Sequence, residues 1–159
     1  MNYHRSGVFR MSLQEITLKK SEPSDWKAIL ALYASLDEDD LEYRFFNVHH
    51  VFPREAQQMA SQKEHCTLLA FADEIPVGEA CLESDGEVSV VVARDWRHRG
   101  VASLLFKELI AIARDRGLHK VWFMTLTRNA SMIELGRMFD FRVVLHSSQE
   151  EEWVLDLSS

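Results

Sequence analysis

Short runs of apolar residues, each bounded by polar turn residues, predict strands in the middle of the chain. Residues 67–72 and 76–83 are two such runs, and residues 73–75 between them fit a hairpin turn. A third run, residues 87–93, follows the turn Ser84-Asp85-Gly86. This order predicts a meander of three neighbouring strands.

Helical spacing of apolar residues is found on both sides of this meander. Residues 24–36 place apolar side chains at helical spacing, with Ser24 or Asp25 as the helix cap. Residues 54–62 follow Pro53, which suits the first turn of a helix. Further helices are predicted over residues 102–117 and 129–139.

Four more strands complete the prediction, and their order sets the fold class. They cover residues 15–19, 121–126, 141–145 and 153–157. Because residues 121–126 follow a helix, a right-handed crossover would lay this strand parallel to residues 87–93. The last two strands form a terminal hairpin. We therefore predict an α+β fold with a mixed, mostly antiparallel sheet flanked by helices.

Length and composition agree with one globular domain. The chain has 159 residues, of which 47% are hydrophobic, and this is enough to bury a sizeable core. We expect that domain to span residues 12–159, after a flexible N-terminal tail of residues 1–11. No repeat or low-complexity segment divides the chain.

Charge and apolar content exclude several classes of partner. The formal net charge is −7, which argues against nucleic-acid binding because that needs a basic face. No apolar run approaches the roughly 18 residues of a membrane span, and the N-terminus lacks the apolar stretch of a secretion signal. With only two cysteines, Cys66 and Cys81, the chain fits a reduced, cytoplasmic protein without a membrane partner. His49 and His50 have no further ligand at suitable spacing, so no metal site is predicted.

The segment Arg97-His98-Arg99-Gly100-Val101-Ala102 is the strongest candidate for a binding site. It joins an apolar strand to an amphipathic helix. The first N–H groups of that helix have no intrahelical partners, and the helix dipole favours negative charge there. Gly100 lets the backbone approach a bulky anion, and Arg97 and Arg99 can add charge-assisted hydrogen bonds. The turn therefore predicts a ligand that carries a diphosphate.

Through this segment the chain resembles the GNAT superfamily of acetyl-CoA-dependent N-acetyltransferases. Residues 97–102 match the family signature Arg/Gln-x-x-Gly-x-Gly/Ala, and the resemblance extends over residues 16–157. Asn129, a short helix and then Phe141 also resemble the family pattern, although Asp140 stands where a glycine is usual. The resemblance implies an acyltransferase with acetyl-CoA as co-substrate and a primary amine as acceptor.

Two other stretches are similar to bacterial protein-lysine acetyltransferases. The segment Asp40-Leu41-Glu42-Tyr43-Arg44-Phe45-Phe46 is similar to part of their catalytic domain, and residues 86–92 are similar to the strand that carries their catalytic glutamate. This implies a protein lysine as acceptor. A small-molecule amine as acceptor and a non-catalytic acyl-CoA sensor are the alternatives, and the oligomeric state stays open. Residues 43–46 fit either a core anchor with an ion-paired arginine or a wall of the acceptor site. Residues 37–40 fit either the solvated end of a helix or an attraction for cationic amines.

The resemblance assigns donor binding to the turn and to its neighbours in the fold. The residues concerned are Val90, Val91, Val92, Arg97, His98, Arg99, Gly100, Val101, Ala102, Ser103 and Asn129. Backbone groups near Val92 would bond the pantetheine arm as an added strand would, and an N–H near Val90 or Val91 would face the developing oxyanion. Asn129 has two interpretations, a helix cap or a contact to the donor.

Glu87 is the predicted general base, because an alkylammonium must lose a proton before it attacks a thioester. Burial beside apolar strand residues would raise the pKa of its carboxyl group. Glu79 and Glu83 on the preceding strand are competing carboxylates, and a solvated Glu87 without a catalytic role is the alternative. Gly136 stands where many relatives have a tyrosine that acts as general acid, so water would protonate the leaving thiolate or no acid would be needed.

Overall fold

The computed structural model describes residues 7–11 and 14–158, and these residues form eight strands and five α-helices. The strands are β1 (Gly7–Met11), β2 (Gln14–Lys20), β3 (Cys66–Ala72), β4 (Ile75–Leu82), β5 (Val88–Val92), β6 (Lys120–Leu126), β7 (Arg142–His146) and β8 (Glu150–Asp156). The helices are α1 (Trp26–Ala34), α2 (Glu38–Phe45), α3 (Pro53–Ala60), α4 (Val101–Asp115) and α5 (Ala130–Met138).

The strands form two sheets that meet at one point. Strands β1 to β5 make an antiparallel sheet of five strands in chain order, and β6, β8 and β7 make an antiparallel sheet of three. Glu87 and Trp122 form an isolated parallel bridge between the sheets, and the Trp122 N–H donates to the Gly86 carbonyl at 3.0 Å. The predicted parallel direction is confirmed at this bridge. Beyond it, β5 and β6 are not paired within the described ranges, so the sheets splay apart.

The larger sheet separates two apolar cores, one on each face. On one face α4 packs Leu105, Phe106 and Leu109 against strand residues that include Ala80 and Leu82. On the other face α1 and α3 pack against residues such as Leu69 and Val91. Because both faces are covered, β3 and β4 are buried on both sides, and this explains why their sequences are apolar almost throughout. The predicted α+β architecture is confirmed.

Two local predictions differ from the structure. The predicted tail of residues 1–11 includes β1, which pairs with β2 from Gly7↔Leu18 to Met11↔Gln14; residues 1–6 lie outside the described ranges. The polar segment that begins at Asp37 is the start of a helix, α2, which was not predicted. A capping box explains its start, because the Asp37 carboxylate accepts from the Asp40 N–H at 2.9 Å and the Asp40 carboxylate accepts from the Asp37 N–H at 3.1 Å.

Candidate active site

A groove of about 530 Å³ opens where β5 and β6 diverge. Its walls come from β5, the turn before α4, the first turn of α4, α5 and α2. Eleven of the twelve predicted site residues line it: Glu87, Val90, Val91, Val92, Arg97, His98, Gly100, Val101, Ala102, Ser103 and Asn129. The twelfth, Arg99, is not part of the lining. The fold thus gathers residues that are up to 42 positions apart in the chain (Glu87 to Asn129).

The edge of β5 that faces the groove is open. On its other edge β5 pairs with β4, in a register that runs from Gly78↔Val92 to Leu82↔Val88. Toward β6, the described residues make only the bridge at Glu87. Peptide groups of β5 beyond that bridge can therefore bond an extended ligand arm in the manner of an added strand.

The N-terminus of α4 closes one end of the groove. Gly100 is the N-cap and has a φ of 84°, in the left-handed region that glycine adopts without strain. The helical hydrogen-bond ladder begins with the Leu104 N–H, which donates to the Gly100 carbonyl at 3.1 Å. The N–H groups of residues 101–103 precede this ladder, and the helix dipole adds positive potential at the same place. This end of the groove suits an anion such as a diphosphate.

The two arginines of the turn have other contacts than those predicted. Arg97 forms an ion pair with Asp40 on α2, and its Nε donates to the Val92 carbonyl at 3.2 Å. The guanidinium of Arg99 lies over the Trp96 ring, 4.8 Å from its centroid. Arg97 therefore holds the turn against α2 and β5. A diphosphate contact of Arg97 or Arg99 stays a prediction.

Glu87 lies at the other end of the groove, immediately before β5. Its main chain is fixed on two sides, because its N–H donates to the Asp85 carboxylate at 3.0 Å and its carbonyl accepts from the Glu83 N–H at 2.8 Å. The side chain is half-buried and lines the groove. Burial raises the pKa of the Glu87 carboxyl, and the neighbouring charges of Asp85 and Glu83 raise it further. A carboxylate in this state is a stronger base than an exposed one.

The two competing carboxylates occupy different places. Glu83 is exposed and lines the groove beside Glu87. Glu79 is fully buried and is not part of the lining. Of these two, Glu83 is therefore the one that competes with Glu87 for contact with an acceptor.

A buried network behind the groove was not predicted from the sequence. The Tyr33 hydroxyl donates to Oε1 of Glu79, and Nε of Arg44 donates to the Tyr33 hydroxyl at 3.2 Å. Arg44 also lines the groove, together with Tyr43 and Phe46. The partner of Arg44 is thus a tyrosine hydroxyl and not the carboxylate of an ion pair, and a wall of the acceptor site stays a prediction. The sequence signal that was missed is Tyr33, an aromatic residue within the helix predicted over residues 24–36 whose hydroxyl group was given no partner.

Residues of α5 have structural contacts that limit their chemistry. The side-chain Oδ1 of Asn129 accepts from the Met132 N–H at 3.2 Å, so Asn129 caps α5 while it also lines the groove. A Cβ on Gly136 would lie 2.9 Å from Cζ of Phe123, so no larger side chain fits there. Asp140 has a φ of 64° and takes the left-handed turn conformation of the glycine that it replaces.

Other chemistry-bearing residues lie in the core or in surface contacts. Cys66 and Cys81 are buried free thiols, and burial raises the pKa of each, which keeps them protonated. His49 bonds the Glu55 carboxylate. Among the residues that the structure describes, no group of three or more potential ligands could hold a metal ion. None of the described helices has the length and apolar character needed to span a bilayer.

Comparison with known proteins identifies the family. Residues 30–141 match the family model described as the acetyltransferase (GNAT) family. The GNAT domain of S. lividans PAT has a similar structure, with a TM-score of 0.90 and 17% identity over 99% of both chains.

Two more solved structures share the fold at low sequence identity. YncA from Salmonella typhimurium, whose structure holds acetyl-CoA, has a TM-score of 0.76 and 18% identity over 89% of this chain and 94% of that one. Ribosomal-protein-alanine N-acetyltransferase from Brucella melitensis has a TM-score of 0.74 and 23% identity over 88% and 99%. These likenesses show the fold, and the family model covers most of the chain. The chain therefore belongs to the acetyltransferase (GNAT) family, whose members are acyltransferases with acetyl-CoA as co-substrate.

Proposed function

We propose that this acyltransferase moves the acetyl group of acetyl-CoA to the side-chain amine of a protein lysine. The observation that carries the proposal is the arrangement of the groove, which has the α4 N-terminus at one end and the half-buried Glu87 at the other. A donor bound along β5 would then present its thioester near Glu87. The groove wall formed by Tyr43, Arg44 and Phe46 belongs to the segment that is similar to protein-lysine acetyltransferases.

In this proposal, backbone groups contribute more to binding of the donor than side chains do. The N–H groups of residues 101–103 would bind the diphosphate, and the open edge of β5 near Val92 would bond the pantetheine arm. An N–H near Val90 or Val91 would stabilise the oxyanion that develops on the thioester carbonyl, and one such donor contributes about 3 kcal/mol to catalysis.

Glu87 would accept the proton of the acceptor ammonium, directly or through one water. The neutral amine nitrogen then attacks the thioester carbon. As the tetrahedral intermediate collapses, the carbon–sulfur bond breaks, the surplus proton on the nitrogen passes through water to the departing thiolate, and Glu87 then releases its proton to solvent. In this proposal no tyrosine at position 136 helps the coenzyme A thiolate to leave, since that residue is Gly136, which is packed against Phe123. A thiol with a pKa of about 8.5 is a tolerable leaving group, so water suffices as its proton source.

The acceptor end of the groove is acidic, and this supports a cationic substrate. Glu83 and Glu87 line it, and Asp85 lies in the turn between them. These carboxylates attract a lysine ammonium to the place where its proton is removed.

The substitution Glu87→Gln tests the assigned base. We expect a loss of about 10²–10⁴ in kcat with acetyl-CoA and lysine-containing proteins, because an amide cannot accept the proton. In the wild type, kcat/KM should fall as the pH drops through the pKa of Glu87. Because burial raises that pKa, the fall begins above the range of an ordinary glutamate. Thiol release and mass-spectrometric mapping of acetylated lysines measure both effects.

The matched control is Glu83→Gln, which removes the exposed neighbouring carboxylate of the same groove. It should change kcat less than about tenfold, since an exposed carboxylate is a weaker base than the half-buried one. Retention of wild-type kcat by Glu87→Gln, with loss in Glu83→Gln, would transfer the role to Glu83.

The acidic acceptor end also favours a second candidate, a small cationic amine such as a polyamine. The two acceptors are separated by a thiol-release assay with a panel of proteins and amines. Rapid turnover of a small amine without labelling of any protein lysine would reject the lysine assignment and keep the acetyltransferase chemistry.

A further inference from the structure

A chain of hydrogen bonds links the buried side of the sheet to the groove. Glu79 on β4 has no solvent-exposed surface, and its Oε1 accepts from the hydroxyl of Tyr33, which is 2% exposed. The same hydroxyl accepts from Nε of Arg44 at 3.2 Å. Arg44 extends from α2 and lines the groove. Three elements, α1, α2 and β4, thus converge on one guanidinium.

The sheet register places this network on the face that carries Glu87. Directly opposite residues of an antiparallel pair project to the same face, and so do residues two apart in one strand. The pairs Glu79↔Val91 and Cys81↔Ser89, followed by the Glu83–Glu87 hydrogen bond, therefore share a face. Arg44 lies against this face, since its Nε donates to the Tyr33 hydroxyl that itself donates to Glu79, and Arg44 lines the same groove as Glu87.

Both negatively and positively charged side chains surround Glu87. Glu83 on the β4 side and Asp85 in the turn both disfavour its ionised form, and Arg44 from α2 favours it. Glu134 on α5 also lines the groove, and across the groove Arg128 is paired with Glu42 of α2. Arg44 is thus a cation that favours the ionised form of Glu87, against the larger effects of burial and of the two acidic neighbours, which together raise the pKa of Glu87.

The contacts of Arg44 explain why its position is fixed. An arginine side chain loses much rotamer freedom when it is ordered, and the planar guanidinium needs a directed partner. The Tyr33 hydroxyl supplies that partner, and Tyr33 is held in place in turn because it donates to the buried Glu79 carboxyl group. The Arg44 guanidinium also packs over the Phe45 ring, 4.7 Å from its centroid. These contacts hold the positive charge beside the acceptor carboxylates.

We propose that Arg44, held by Tyr33 and Glu79, is a positioning residue that keeps Glu87 in its proton-accepting form at the acidic end of the groove. This inference rests on the proposed role of Glu87 as the base. It assigns a function to the Tyr43-Arg44-Phe45-Phe46 segment and to a buried glutamate that does not touch the groove. The three residues act on catalysis through Glu87.

The test compares Arg44→Gln with the wild type in two measurements. The first is the pH profile of kcat/KM. The second is a ¹³C NMR titration of the glutamate carboxyl groups, in which the Glu87 signal is assigned from its absence in Glu87→Gln. Loss of the cation should move the acidic limb of the profile and the Glu87 titration upward by about 0.5–1 pH unit. This is less than the 1–3 units of a contact pair, since Arg44 acts without an ion pair to Glu87 in the described residues.

Three variants control the experiment. Arg114→Gln removes an equal charge from the exposed last turn of α4, and should leave both curves in place. Arg44→Lys keeps the cation and should recover at least half of the shift. Tyr33→Phe keeps every charge but removes the anchor of Nε, and should produce a smaller upward shift. Circular dichroism and thermal unfolding show which variants are folded. If Arg44→Gln does not fold, the test is made with Arg44→Lys and Tyr33→Phe.

The titration separates the two proposals. If the Glu87 signal titrates identically in the folded variants and the wild type, or if Arg114→Gln shifts it equally, the role of Arg44 is wrong. If Arg44→Gln shifts the titration while Glu87→Gln retains full activity, the electrostatic coupling holds and Glu87 is not the base. A merely structural Arg44 would lower the unfolding temperature without moving either pH curve.

Discussion

At the scale of single residues, packing decides which chemistry the groove can have. Gly136 faces the stacked rings of Phe123 and Trp153, whose centroids are 6.0 Å apart. In the sequence, Gly136 stood out only through the family resemblance. The structure gives a physical reason why this residue is a glycine. The site lacks a tyrosine at this position because the aromatic core fills its space.

The substitution Gly136→Ala should destabilise the protein although alanine favours helices. The new Cβ would lie 2.9 Å from Cζ of Phe123 and 3.1 Å from Cε3 of Trp153, and both rings are buried and cannot swing aside. Overpacking of this kind costs about 1–3 kcal/mol of unfolding free energy, which exceeds the gain of roughly 1 kcal/mol in helix propensity. Urea denaturation measures the difference. Arg137→Ala, an exposed change in the same helix, should stay within about 0.5 kcal/mol. An unchanged or higher stability of Gly136→Ala would show that the rings relax.

At the scale of elements, α2 is the helix that the sequence pattern did not reveal. It has only eight residues and carries few apolar side chains, so its hydrophobic periodicity is weak. Its ends and its flank are held by tertiary ion pairs instead. Asp37 pairs with Arg94, Asp40 pairs with Arg97, and Glu42 pairs with Arg128. These contacts place α2 across the groove, from the turn before α4 to the loop that precedes α5.

The cap of α2 can be separated from its ion pair by two substitutions at Asp37. Asp37→Asn keeps an oxygen that accepts from the Asp40 N–H and loses only the exposed pair with Arg94. It should cost no more than about 0.5 kcal/mol, as exposed ion pairs do. Asp37→Ala also loses the cap and should cost about 1 kcal/mol more. Urea unfolding of both variants measures the two contributions. Equal destabilisation by both would assign the effect to the ion pair and not to the cap.

At the scale of the whole molecule, two sheets joined by one bridge create the site. Glu87 and Trp122 connect them, and the groove begins immediately beyond this bridge. A ligand in the groove would contact the larger sheet through β5 and the α5 side through residues such as Asn129. Binding would thus add contacts between two sheets that share a core with α4 but are bridged through their backbones only at Glu87 and Trp122 in the described residues.

Acetyl-CoA should therefore raise the unfolding temperature of the protein. At a ligand concentration 100 times Kd, binding adds about 2.7 kcal/mol, which corresponds to roughly 5–10 °C for a domain of this size. Differential scanning fluorimetry measures the shift. Adenosine, which lacks the diphosphate, should give almost none, because the N–H groups at the start of α4 would stay without their anion. No shift at millimolar acetyl-CoA, together with no heat in titration calorimetry, would refute the donor site.

The local sequence determined much of this protein. Short apolar runs bounded by turn residues specified the meander β3–β5, and helical spacing of apolar residues specified helices α1, α3, α4 and α5. The turn around Gly100 could also be predicted, because a glycine at the start of an amphipathic helix is a local pattern that is visible in the sequence. Eleven of the twelve predicted site residues consequently line one groove.

Only the tertiary structure decided the rest. The partners of Arg97 and Arg44 come from other elements, and charge pairing across a fold leaves no periodic trace in the sequence. Helix α2 depends on ion pairs with distant residues, and strand β1 is recognised by its pairing with β2. The splay of β5 from β6, which creates the groove, follows from the packing of two sheets, and no local propensity encodes it.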